Sequence, residues 1–139
     1  MGRFLSVPFI AVSLVASLAW ADQNPAVEKA QAAAKAWLAL TDGGSYAQSW
    51  DEAAAGFKAA VTRPGWEAAL NAVRSPLGAV QNRKLKSATF TRTLPGAPDG
   101  EYVVIQFETR FEHKPAALET LTPAHGPDGS WRVSGYYIR

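Results

Sequence analysis

Apolar residues recur along the chain with two different periods, and the period changes near Arg83. Before that point the spacing is helical. Val27, Ala30, Ala34, Trp37 and Leu38 fall on one stripe, which predicts an amphipathic helix running to about Leu40. Asp42-Gly43-Gly44 supplies its stop, because glycine tolerates the backbone angles of a helix exit. Ser45 is placed to cap a second helix with the stripe Tyr46, Trp50, Ala53, Ala54 and Phe57. A third helix is expected from Thr62-Arg63-Pro64, where an early proline forfeits little. Its stripe is Trp66, Ala69, Leu70 and Val73, and Ser75-Pro76 should end it.

From Arg83 onward, β-branched and aromatic residues come in runs separated by turn residues. The predicted strands cover residues 83–94, 101–111, 116–124 and 131–138. In the second strand Val103, Ile105, Phe107, Thr109 and Phe111 share one face, and Tyr102, Val104, Gln106, Glu108 and Arg110 share the other. In the last strand, parity sets Trp131, Val133, Gly135 and Tyr137 inward and Tyr136 and Ile138 outward. Pro123 cannot donate to a ladder, so a bulge or early end is expected there. Helices followed by strands with short turns give an α+β fold, with three N-terminal helices packed on a curved four-stranded antiparallel sheet.

The first residues form a separate unit. Arg3, the apolar run Phe4 to Leu18 and Ala19-Trp20-Ala21 have the three parts of a cleavable secretory signal, expected to be cut after Ala21. Residues 22–139 then make a single domain, expected in the periplasm and free of the membrane after cleavage. The formal net charge of the whole chain is only +2, and Arg3 belongs to the leader. That field is too weak to argue for nucleic acid or anionic lipid. The one basic cluster, Arg83-Lys84-Leu85-Lys86, reads as the solvated start of a strand. Cysteine is absent, which excludes thiolate zinc sites, thiol redox chemistry, cysteine nucleophiles and a lipid-anchoring cysteine.

Several stretches together resemble bacterial domain-of-unknown-function family 4019. They are AWLAL, Tyr46 spaced from Trp50, AALNAVRSPLGAV, TRTLPGAPDGEYVVIQFET and the closing DGSWRVSGYYI. That family is similar to the cone-shaped superfold shared by nuclear transport factor 2 and ketosteroid isomerase. The resemblance implies helices held inside a bent four-stranded sheet, and export to the periplasm. It brings no catalytic residues with it, and the superfold hosts enzymes, binding modules and structural dimers alike.

Three functional classes remain to be weighed. Relatives that move protons place a carboxylate or histidine inside the cone. His113 and His125 lie beside turns and are expected to be solvated, while Asp42, Asp99 and Asp128 precede glycine and serve turn geometry. Glu119 shares parity with Leu121, so it is the candidate interior base, with Arg74 as its candidate partner in an isomerase or hydro-lyase. The second class is a small apolar or amphipathic ligand held among Trp37, Tyr46, Trp50, Trp66, Phe107 and Trp131. The same aromatic stripes serve equally as plain core. The third is a homodimer through an outer sheet face bearing Tyr102, Val104, Gln106, Tyr136 and Ile138. No phosphate loop, metalloprotease motif or nucleophile elbow occurs, and no metal or cofactor is expected. A non-enzymatic exported binding domain is the leading expectation.

Overall fold

A computed structural model describes residues 24–139, so the expected leader and its cleavage point lie outside the described residues. The fold is α+β. Four helices, α1 (Pro25–Asp42), α2 (Tyr46–Asp51), α3 (Ala55–Ala60) and α4 (Arg63–Leu77), precede four strands, β1 (Val80–Thr91), β2 (Tyr102–Phe111), β3 (Lys114–His125) and β4 (Trp131–Ile138). The sheet is antiparallel throughout, with spatial order β1-β2-β3-β4.

Helix α1 starts where Asn24 accepts a hydrogen bond from the Ala26 amide at 3.0 Å, with Pro25 in its first turn. Its buried stripe is Val27, Ala30, Ala34, Trp37, Leu38 and Thr41. The two alanines are fully covered, which lets the helix lie close enough to touch all four strands. Helix α4 packs on α2 and runs through Pro76 to Leu77, one residue beyond the expected Ser75-Pro76 stop. A proline in a last turn removes a single ladder bond, so the helix tolerates it until Gly78, whose φ of 74° favours glycine.

The expected second helix is in fact two. Ser45 makes no side-chain cap, and the chain leaves helical geometry at Ala53 and Ala54. The cause is tertiary: the Ala54 amide donates to the Val133 carbonyl of edge strand β4 at 2.8 Å. That bond satisfies an exposed strand edge at the expense of helix continuity.

Bulges set which side chains face the helices. Between the pairs Leu121↔Tyr136 and Pro123↔Val133, β4 carries one more residue than β3. The extra residue falls at Ser134-Gly135, and the Ser134 hydroxyl donates to the Thr122 carbonyl at 2.6 Å. Strand β3 continues past the fully buried Pro123 to His125, so the disruption expected at this proline is taken up by its neighbour. Beyond the bulge the parity of β4 inverts. Tyr136 and Ile138 face the helices and Tyr137 faces away, half-exposed, opposite to the simple alternation. The alternation of β2 holds: Val103, Ile105, Phe107, Thr109 and Phe111 are all buried.

The core joins Val103, Ile105, Phe107, Leu121 and Val133 of the sheet to Ala30, Ala34, Trp37 and Leu38 of α1 and Trp66 and Leu70 of α4.

Candidate functional site

The interior contains two polar constructions that hold the layers together. The first is built on Ser49, fully buried in α2. Its carbonyl accepts from the Trp37 indole at 2.8 Å, and its hydroxyl accepts from the Trp66 indole at 3.0 Å. Trp50 donates to the Val61 carbonyl at 2.7 Å. Every one of these three indole N–H groups therefore has a protein partner, as burial requires. The Trp37 and Trp66 rings pack directly, 6.1 Å apart, with Tyr136 5.1 Å from Trp37 and Phe57 4.9 Å from Trp66.

The second is a chain of alternating charges. Glu119, on the helix-facing side of β3, is fully buried. Arg83 donates from Nε to its Oε1 at 2.7 Å and from Nη2 to its Oε2 at 3.2 Å. The Thr109 hydroxyl donates to the same Oε1, and the Tyr136 hydroxyl to Oε2, in two very short bonds. Arg83 also grips Asp42 through both Nη atoms, at 2.7 and 3.0 Å. Asp42 in turn accepts from Arg74 at 2.8 Å, and Arg74 donates to the Thr41 hydroxyl at 3.1 Å. The buried Arg74 guanidinium lies 5.0 Å from the Phe111 ring centre, with its Nε unpartnered within the protein. Seven residues thus tie the end of α1, the last turn of α4 and all four strands into one knot.

The electrostatics follow from that pairing. Burial works to raise the Asp42 carboxyl, but bonds to Arg83 and Arg74 outweigh it and hold the group below its ordinary value of 3.8. Burial likewise works against the Arg83 charge, and the Asp42 and Glu119 carboxylates overcome it, so the guanidinium is held more firmly charged. Burial first, then the Glu119 charge, pushes the Tyr136 hydroxyl upward, so Tyr136 stays a donor.

Glu119 is interior, as its parity suggested, but Arg74 is not its partner. Asp42 stands between them, and the cation on Glu119 is Arg83. Arg83 is thus no solvated strand start: it sits opposite Thr109 on the helix-facing side, with only 16% of its side chain exposed. Asp42, read as a turn residue, is the hub between both arginines. His125 is also more than a solvated turn residue. It contacts Glu101 at 2.6 Å and the Gly129 carbonyl at 3.2 Å, and stacks on Trp131 at 4.9 Å. Ser49 carried no signal in the sequence.

The aromatic residues expected around a ligand do not converge on one cavity. Tyr46 borders a cleft between α2 and α4, Trp66 a groove between α4 and β4, and Trp37 and Trp131 a third cleft beside Arg132. Trp50 and Phe107 border none of these, and Phe107 is core. Of the expected interface set, Val104 and Gln106 lie on the sheet face away from the helices. Tyr102 has that parity but is buried, its hydroxyl donating to the Pro98 carbonyl at 2.6 Å. Tyr136 and Ile138 belong to the opposite face, for the reason given by the β4 bulge.

A different cleft is lined mainly by apolar residues. It holds about 530 Å³ where α3, the loop of residues 94–98, the end of β3 and the bulge of β4 meet. Ala54, Gly56, Phe57 and Ala60 form one wall, Leu94 to Pro98 another, and Ala124, Ser134 and Gly135 the floor. Small residues leave the space open. A Cβ added at Gly56 meets nothing within 4 Å, and one at Gly135 meets only Thr122, at 4.0 Å. Among the described residues no group of three or more His, Asp or Glu is arranged to hold a metal.

A four-stranded antiparallel sheet faced by N-terminal helices, with a packed aromatic interior, defines the protein as a small α+β domain. Its sequence matches the model of the family described as "Protein of unknown function (DUF4019)" over residues 33–136, and the chain belongs to that family. No curated protein matches the chain.

Proposed function

We propose that the protein is an exported, non-enzymatic binding domain that holds a small apolar or amphipathic molecule in the cleft beneath residues 94–98. The observation that carries this reading is the cleft itself. Its volume of about 530 Å³ falls in the range of small-molecule sites, roughly 300–1,000 Å³, and its walls are alanine, glycine, proline, leucine and phenylalanine. Ser134 and Thr122 are the hydroxyl residues that border it beside Tyr102, and they supply the few polar contacts that orient such a ligand. The loop of residues 94–98 is secured at one end by the Tyr102–Pro98 bond, which favours a preformed wall.

The isomerase or hydro-lyase alternative draws no comparable support. Both oxygens of Glu119 already accept two donors each, which fills the lone pairs a general base needs. Glu119 borders none of the clefts described above.

Gly56→Leu tests the site with little risk to the fold. Leucine favours a helix by up to ~1 kcal/mol over glycine, so stability should hold or rise. In a titration with the uncharged fluorophore Nile red, the wild-type protein should show saturable one-to-one binding and Gly56→Leu should show none. Equal binding by the two proteins would place the ligand elsewhere.

A further inference from the structure

The small net charge of the chain hides a local concentration of cations on the sheet face away from the helices. Lys84 pairs in register with Glu108, Glu108 with Leu118, and Leu118 exchanges two backbone hydrogen bonds with Arg139, both at 3.0 Å. These four side chains form one row across the sheet, about 14 Å wide at the usual strand spacing. Lys86 and Arg110 flank it, and the same residues border an open cleft of about 560 Å³ floored by Pro115, Ala116 and Leu118. Four cations therefore surround one acidic side chain. All four are exposed, and among the described residues none makes an ion pair, whereas Arg63, Arg74 and Arg83 all do. Tyr137, half-exposed on the same face, lies under the Arg139 guanidinium at 5.7 Å.

We propose that this row is a docking face for an anionic phospholipid surface. Charge excludes the obvious competitor. A two-fold contact between copies through this row would set the patch against itself, cation facing cation. A site for one small anion is built from buried, converging donors, and these heads are spread and solvated. Spread cations around a partly exposed leucine and an interfacial tyrosine match a plane of many headgroups. No helix among the described residues is long and apolar enough to cross a membrane, so the contact is peripheral. It occupies the end of the sheet opposite the apolar cleft, where β2 ends and β3 begins, and does not depend on that cleft.

The test is co-sedimentation of the purified protein with phosphatidylglycerol vesicles or phosphatidylcholine vesicles, at 0.05 and 0.5 M salt. Binding is expected to the anionic vesicles only, and to disappear at high salt as screening shortens to a few ångströms. Each cation is worth about fivefold in partitioning, so K84E/R110E should weaken binding by about 25-fold or more, and E108Q should strengthen it. E108Q keeps the test decisive if the double variant fails to fold. Equal binding to neutral vesicles, no binding at all, or indifference to E108Q and K84E/R110E would overturn the proposal. So would release from the vesicles by inorganic phosphate or duplex DNA at matched phosphate concentration.

Discussion

Replacing Arg83 with methionine should lower the unfolding free energy by about 3–5 kcal/mol, measured by urea denaturation at neutral pH. The size follows from what is stranded. Glu119 is fully buried and loses the cation that Arg83 supplies, and Asp42 loses two of its charged donors. Methionine fills the alkyl space but supplies no proton. Adding Glu119→Gln to Arg83→Met should recover part of the loss, because a neutral amide removes the buried charge, its oxygen accepting from one of the Thr109 and Tyr136 hydroxyls and its NH2 donating to the other. The pH dependence has a definite sign. The folded Asp42 carboxyl is held below 3.8, so its contribution is present above that value and is lost as pH falls through the lower, folded value. Arg83→Met should flatten that acid limb. An Arg83→Met protein as stable as wild type would mean that the charge knot does not hold the layers together.

The second large effect concerns the tryptophans. Trp37→Ala should cost about 3–5 kcal/mol and lower the melting temperature by roughly 10–20 °C. Trp37 is 3% exposed, donates to Ser49 and packs on two other rings. Deleting it opens a cavity and leaves a buried carbonyl short of a donor. Thermal unfolding followed by circular dichroism measures the outcome. A loss below about 1 kcal/mol would indicate a wet, yielding interior, and would return the ligand to the aromatic residues between helices and sheet.

These two predictions separate what one sequence can tell from what it cannot. Strand β2 was legible because its alternation is unbroken, and α1 because its stripe and glycine stop agree. The last strand was half legible. Its parity is right at Val133 and wrong at Tyr136, since the bulge at Ser134-Gly135 depends on pairing with β3. The split between α2 and α3 depends on an edge carbonyl about 80 residues away, which no local propensity encodes. The same holds for the candidate site. Glu119 could be placed inside by parity, but its cation could not be named. Arg83 lies 36 residues away, and irregularities on either side of it in β1, between Val80 and Asn82 and between Leu85 and Ser87, set the phase of its strand. The apolar cleft was least visible of all. Alanines, glycines and a proline-rich turn carry no hydrophobic pattern until the fold brings them together.

That cleft is where the functional reading stands or falls. The most direct test is native mass spectrometry of the protein recovered from the cells that make it, beside Gly56→Leu prepared identically. The account predicts a wild-type mass carrying one small apolar or amphipathic adduct, and a bare mass for the variant. Bare masses for both, or the same adduct on both, would contradict it.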